Sequence, residues 1–173
     1  MLCACPALLA SAQSATENQV KAAYLFNFAK FVEWPEAAFD KPGSPMNFCL
    51  LGRGAVADEM DLMQGKSVNG HTITVTHLHR PEEIKGCHLV FLAASAGKQQ
   101  TKLLETATRL PILLVAEIPG FARAGGTINF ITENDRLLFE INIKAAESAQ
   151  LKISSKLLTL AHVVSPIPER PGQ

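Results

Sequence analysis

The chain is short of charge and has no excess of either sign: only 18% of its 173 residues are charged, and 16 basic residues balance 16 acidic ones. A neutral balance excludes a global field that would draw the protein to nucleic acid or to anionic lipid, so recognition is expected to be local. Long hydrophobic runs are missing as well. No apolar stretch approaches the roughly 20 residues that cross a bilayer, so the mature chain is expected to be soluble and any membrane partner to bring its own anchor. Internal repeats and domain-separating linkers are also lacking. What remains is 47% apolar and long enough to bury one full core, and a single domain follows.

The first residues do not read as part of that domain. Met1 to Ala12 is a short apolar stretch ending in Ala10-Ser11-Ala12, the small-residue form of a signal-peptidase site. No Lys or Arg precedes the apolar part, so residues 1–12 are taken as the remnant of a longer signal peptide, with the domain at 13–165. Removing residues 1–12 leaves two cysteines, Cys49 and Cys87. In an oxidising compartment an even count is compatible with one bridge, and two buried free thiols are the alternative; export favours the bridge.

Ser14 and Glu17 have the spacing of a capping box, and the absence of Gly and Pro through Glu33 predicts a helix over 17–33. Val20, Ala23, Tyr24, Phe28, Phe31 and Val32 give it an apolar face, and Trp34-Pro35 stops it. Beyond a Pro- and Gly-rich loop, short apolar runs alternate with helical segments. Strands are predicted at 47–51, 72–77, 88–93 and 112–116, and helices at 56–63 and 98–110. Such alternation argues for βαβ units and a mainly parallel sheet. Gly125-Gly126 and Asn134-Asp135 bracket a hairpin over 127–132 and 136–141, after which helices are expected at 144–150 and 154–164. The fold class is therefore α/β, a single-domain three-layer sandwich with a C-terminal antiparallel hairpin. Residues 166–173, rich in proline, read as a disordered tail.

The motifs that suggest chemistry are weak. Gly52-Arg53-Gly54 follows a strand and opens a helix, as in a dinucleotide-binding turn, but the next strand ends at His77-Leu78-His79-Arg80 without the acidic residue that would hold a ribose. Ser95 faintly imitates a nucleophile elbow, with Asp135 and His162 following in hydrolase order, yet a serine before Gly97-Lys98 is explained as a helix cap. His77, His79, Cys87 and His88 match no standard zinc module. Arg136, Glu140 and Asn142 flank the second hairpin strand, where Phe139 and Ile141 should face the core; the polar set then serves either as solvated strand surface or as a partner- or ligand-facing rim. No catalytic residue, metal site or cofactor is expected.

Three stretches together resemble the YfiR-like family. They are Val20 through Pro35, ending in Phe31-Val32-Glu33-Trp34-Pro35; Phe121-Ala122 with Gly125 through Phe130; and Phe139-Glu140-Ile141-Asn142 continuing through Ala145-Ala146 to Leu151-Lys152 and Leu157-Leu158. The resemblance implies a periplasmic, self-associating α/β regulator without catalysis. It would repress cyclic di-GMP signalling, and with it biofilm formation, by binding the periplasmic domain of an inner-membrane diguanylate cyclase. It also implies that Cys49 and Cys87 form the one family bridge, while a second pair near the final strands is absent, which puts redox-controlled release through that pair in doubt. Phe28, Phe31, Trp34, Arg136, Glu140, Asn142 and Lys152 are the candidate contacts, and core packing is expected to claim most of the aromatic ones. A periplasmic small-ligand receptor is the alternative.

Overall fold

The computed structural model describes residues 15–166. The expected leader over 1–12 and the residues after Pro166 lie outside them. The first helix, α1 (Glu17–Phe31), starts at the predicted residue, but its capping box is Thr16 with Gln19 and not Ser14 with Glu17: Thr16 Oγ1 accepts from the Gln19 amide and Gln19 Oε1 accepts from the Thr16 amide. Glutamine completes this box as well as glutamate does, because the neutral side-chain oxygen satisfies the same orphan donor. The helix ends early. β-Branched Val32 turns extended, and Trp34 is biased the same way by the proline after it, so Val32–Glu33 forms a short strand, β1.

A single 3-10 turn at Glu36–Ala38 leads to β2 (Met46–Leu51), α2 (Ala55–Asp61), β3 (Ser67–Val68) and β4 (His71–Leu78). A second 3-10 turn, Pro81–Ile84, precedes β5 (Leu89–Leu92); a third, Ala94–Gln99, runs into α3 (Gln100–Thr106), and β6 (Leu113–Ala116) follows. The predicted helix over 98–110 is thus only two regular turns, closed by Arg109 in the left-handed region. β7 (Ile128–Glu133) and β8 (Arg136–Asn142) make the expected hairpin. Asn134 and Asp135 both take positive φ at its tip, which suits the twist of the paired strands. After α4 (Ile143–Ser148) come β9 (Lys152–Ile153), α5 (Ser155–Leu158) and β10 (His162–Val164).

The expected helix over 154–164 is therefore corrected. One turn forms under the Ser154 cap, and the chain then leaves to pair His162–Val164 in parallel with Glu140–Asn142. Within that stretch Leu157 is buried, whereas Leu160 is 64% exposed. Edge pairing with β8 outweighs a helical pattern that has only one well-buried residue to hold it.

The main sheet has the order β10-β8-β7-β6-β5-β2-β4-β3, and a separate two-stranded sheet joins β1 to β9 antiparallel. From β4 through β7 all neighbours are parallel; β8 runs antiparallel to β7. β5 and β6 are buried at every residue because both faces are covered, as parallel strands require. On one face α1, α2 and α5 enclose a core in which Phe28 touches the rings of Tyr24, Phe130 and Phe139. On the other, α3 and the 3-10 turn at Pro81–Ile84 cover Cys49, Cys87, Val90, Leu114 and Phe121. Three layers result.

Candidate interaction surface

The end of α1 builds a corner at the edge of the sheet where β2, β4 and β5 begin. β1 and β9 place Glu33 directly opposite Lys152, and the Ser154 amide donates to the Phe31 carbonyl. Phe31, Trp34 and Lys152, distant in sequence, are thereby neighbours. Lys30 adds an ammonium 5.9 Å from the centre of the Phe31 ring. Trp34 is only half-buried, and its indole Nε1 donates to the His88 carbonyl at 3.1 Å. That bond fixes an amphipathic ring at the surface with its polar atom satisfied, the condition under which aromatic residues serve as contact anchors. Beside it lies a shallow hollow of about 270 Å³ lined by Trp34, Phe39, Met46, Asn69 and His71.

Beneath Trp34 is a stack that no local pattern announced. Phe39 lies between two imidazoles, 4.0 Å from the His71 ring and 4.4 Å from the His88 ring, nearly parallel to both. His88 is buried; its Nε2 donates to the Ala38 carbonyl and its Nδ1 accepts the Asn47 amide, which fixes the neutral tautomer. Burial pushes the His88 imidazole below the ordinary histidine range, against a smaller opposing pull from the Ala38 carbonyl. The next residue back is Cys87, joined to Cys49 by a disulfide spanning 38 residues. Asn47 binds both flanks of Cys87, through the Gly86 carbonyl and through His88. The bridge and the Trp34 anchor therefore share one short, rigid segment.

The other candidates divide. Phe28 is fully buried in the aromatic core, so it shapes α1 from inside and is not a contact residue. Asn142 is also fully buried: Nδ2 donates to the Ala122 carbonyl and Oδ1 caps α4 through the Ala145 amide. Glu140 lies on the sheet face opposite the α1 core, mostly covered, with Arg123 at 3.7 Å. Its cross-strand neighbour Asn129 accepts from the Ile118 amide and has a buried Nδ2 with no partner among the described residues. Arg136 is exposed at the hairpin tip. The hairpin polars are thus not one surface with Trp34.

At the carboxyl edge of the strands, Ser95 Oγ donates to the Arg53 carbonyl at 2.7 Å and accepts the Arg53 amide at 2.9 Å. Ser95 is inside its 3-10 turn and caps nothing, which corrects the helix-cap reading; it ties two loops together across the sheet. Gly52 is required there, since with φ of +103° any added Cβ would meet Ser95 and Ala96 at 2.9 Å. Near the same edge Lys21 bridges Glu17 at 2.7 Å and Glu117 at 2.9 Å, clamping α1 to the end of β6. His77 binds Asp61 instead of converging with His79, and the described residues contain no group of three that would hold a metal.

The sequence pattern of the YfiR/HmsC-like family matches residues 18–162. The chain belongs to that family. No protein of curated function matches it. Among solved structures, a conserved domain protein from Vibrio cholerae O1 biovar eltor is similar, with a TM-score of 0.60, 9% identity, and coverage of 87% of this chain and 60% of that one. An ABC domain in complex with L-Trp from Streptococcus pneumonia has a TM-score of 0.51, 10% identity, and coverage of 81% and 60%. At such identities the likeness concerns the fold, and this chain spans only 60% of the length of either. The YfiR/HmsC-like family is regulatory, not catalytic, and is associated with membrane diguanylate cyclases. The match takes in the whole Trp34 corner, both cysteines and the hairpin. No helix among the described residues is long and apolar enough to cross a membrane.

Proposed function

We propose that the protein is a non-catalytic periplasmic regulator that binds and represses the periplasmic sensor domain of an inner-membrane diguanylate cyclase, restraining cyclic di-GMP output and biofilm formation. The observation that carries this reading is the family match over residues 18–162. Repression by binding requires only that the regulator prefer the inactive state of its partner, since a ligand shifts an equilibrium by its differential affinity. The Trp34 corner is the contact surface we favour, with Phe31 and Lys152 beside a ring already fixed by the His88 carbonyl. A second copy of the chain is expected to complete a homodimer. The Cys49–Cys87 bridge is buried at both ends, which argues for a structural part over a gating one.

The test is a titration of the oxidised protein against isolated periplasmic domains of membrane diguanylate cyclases, with and without reductant. Saturable binding that ignores mild reductant supports a repressor with a structural bridge. Loss of binding on reduction, while the fold persists, would keep the repressor and overturn the structural reading of the bridge. Failure with every such domain would sink the cyclase assignment and leave the small-ligand receptor, which the cavity described next favours.

A further inference from the structure

Between α3 and α4, on the face that carries the disulfide, lies an open cavity of about 440 Å³ that shares no residue with the Trp34 corner. This is within the size range of small-molecule sites. Its floor is apolar, with Leu104 and Leu114 from the second core, and Thr127 and Ala145 form a wall. The charges at its rim are all of one sign. Arg109 and Lys144 line it, no acidic residue does, and neither cation has an ion-pair partner among the described residues. In a protein of zero net charge, two cations with no carboxylate beside them make a local positive field over an apolar floor. Arg109 is held there by a left-handed backbone, φ +63°, at the turn that ends α3. Such a conformation is unfavourable for arginine and fixes where its side chain departs.

We propose that this cavity binds a small organic anion, a carboxylate or phosphate group carried on a compact apolar body. Arg109 and Lys144 would take the anionic head, and Leu104 and Leu114 the body. Since Ala145 belongs to α4, which the buried Asn142 caps and which continues toward β9, an occupant would press on the element that leads into the Trp34 corner. The site does not rest on the cyclase reading, and its test uses the isolated chain, so either can fail without the other.

The experiment is an amide-resolved NMR titration of the full chain with hexanoate and with phenyl phosphate, using hexylammonium and hexanol as controls. Saturable shifts at Thr127 and Ala145 are expected from the anions, with none from hexylammonium. Arg109→Gln and Lys144→Gln should each weaken binding about tenfold, the loss of one charge-assisted contact. Both side chains are exposed, so the variants should keep the parent spectrum. Equal response to hexanol, anion shifts unchanged in both variants, or no response up to about 10 mM, a level at which even a millimolar site is filled, would overturn the proposal.

Discussion

His88 shows how one side chain ties local chemistry to the surface. Both ring nitrogens are committed, one as donor to Ala38 and one as acceptor from Asn47, and only the neutral ring satisfies both. Protonation turns the acceptor into a second donor facing the Asn47 amide. The native pKa is depressed below the unfolded value near 6.5, so the unfolded chain takes up the proton first. The sign follows: stability is complete above about pH 6.5 and declines as pH falls toward the native pKa. Denaturation curves at pH 7.5, 6.5 and 5.5 should show this decline, and a His88→Phe variant should lose that part of the pH dependence. The same variant leaves the Asn47 amide and Ala38 carbonyl unpaired, at a cost of about 2–4 kcal/mol at neutral pH. Parent and variant curves that fall in parallel with pH would show that another group carries the dependence. Nothing in the local sequence announced the stack, because its three rings come from a loop, the start of β4 and the start of β5. Only the parallel register of β4, β2 and β5 sets those starts side by side.

At the scale of elements, two constraints explain stretches that the sequence marked. Gly126, in the Gly125-Gly126 pair, lies against Phe121, and an added Cβ would clash with the edge of the Phe121 ring, 2.1 Å from its nearest atom. Its φ is not positive, so the constraint is steric. Gly126→Ala should therefore displace Phe121 from the second core and destabilise by about 1–3 kcal/mol, whereas alanine at the more open Gly97 should cost less; equal denaturation midpoints for the two would refute the packing argument. The disulfide closes 38 residues around β4, which corresponds to about 4 kcal/mol in the chain-entropy picture. A Cys49→Ala, Cys87→Ala variant should lose most of that by urea denaturation; a loss under about 1 kcal/mol would mean that β4 and its turns hold the loop without the bridge. The central strands were legible because continuous apolar runs bounded by glycine and proline suit strands buried on both faces. The last strand was not. Leu157 through Val164 carries a helical pattern, and its fate is decided by an edge of β8 more than twenty residues away in sequence. Short β1 and β9 were hidden for the same reason, since each exists only through the other.

For the molecule as a whole, the question is which surface does the regulating. Sequence reasoning grouped residues of α1, the hairpin and Lys152 into one candidate set, and the fold separates them: two are internal, two belong to the hairpin, and Phe31, Trp34 and Lys152 adjoin. The separation makes the proposed function testable by position. Trp34→Ala combined with Lys152→Glu changes the corner at its two named contacts; because Trp34 also packs against the first core and Lys152 stands opposite Glu33, the variant's thermal unfolding is measured beside its binding. Arg136→Glu reverses an exposed charge at the hairpin tip. If the corner docks the cyclase domain, the double variant should weaken binding about a hundredfold, the scale of losing a buried aromatic anchor and a favourable charge, and Arg136→Glu should leave affinity within about threefold of the parent. The opposite ranking would move the docking surface to the hairpin. Equal weakening by both would point to a partner that spans the molecule from corner to hairpin tip, and the effect of reductant on each variant would then show whether the segment shared by the bridge and the His88 carbonyl transmits between the two ends.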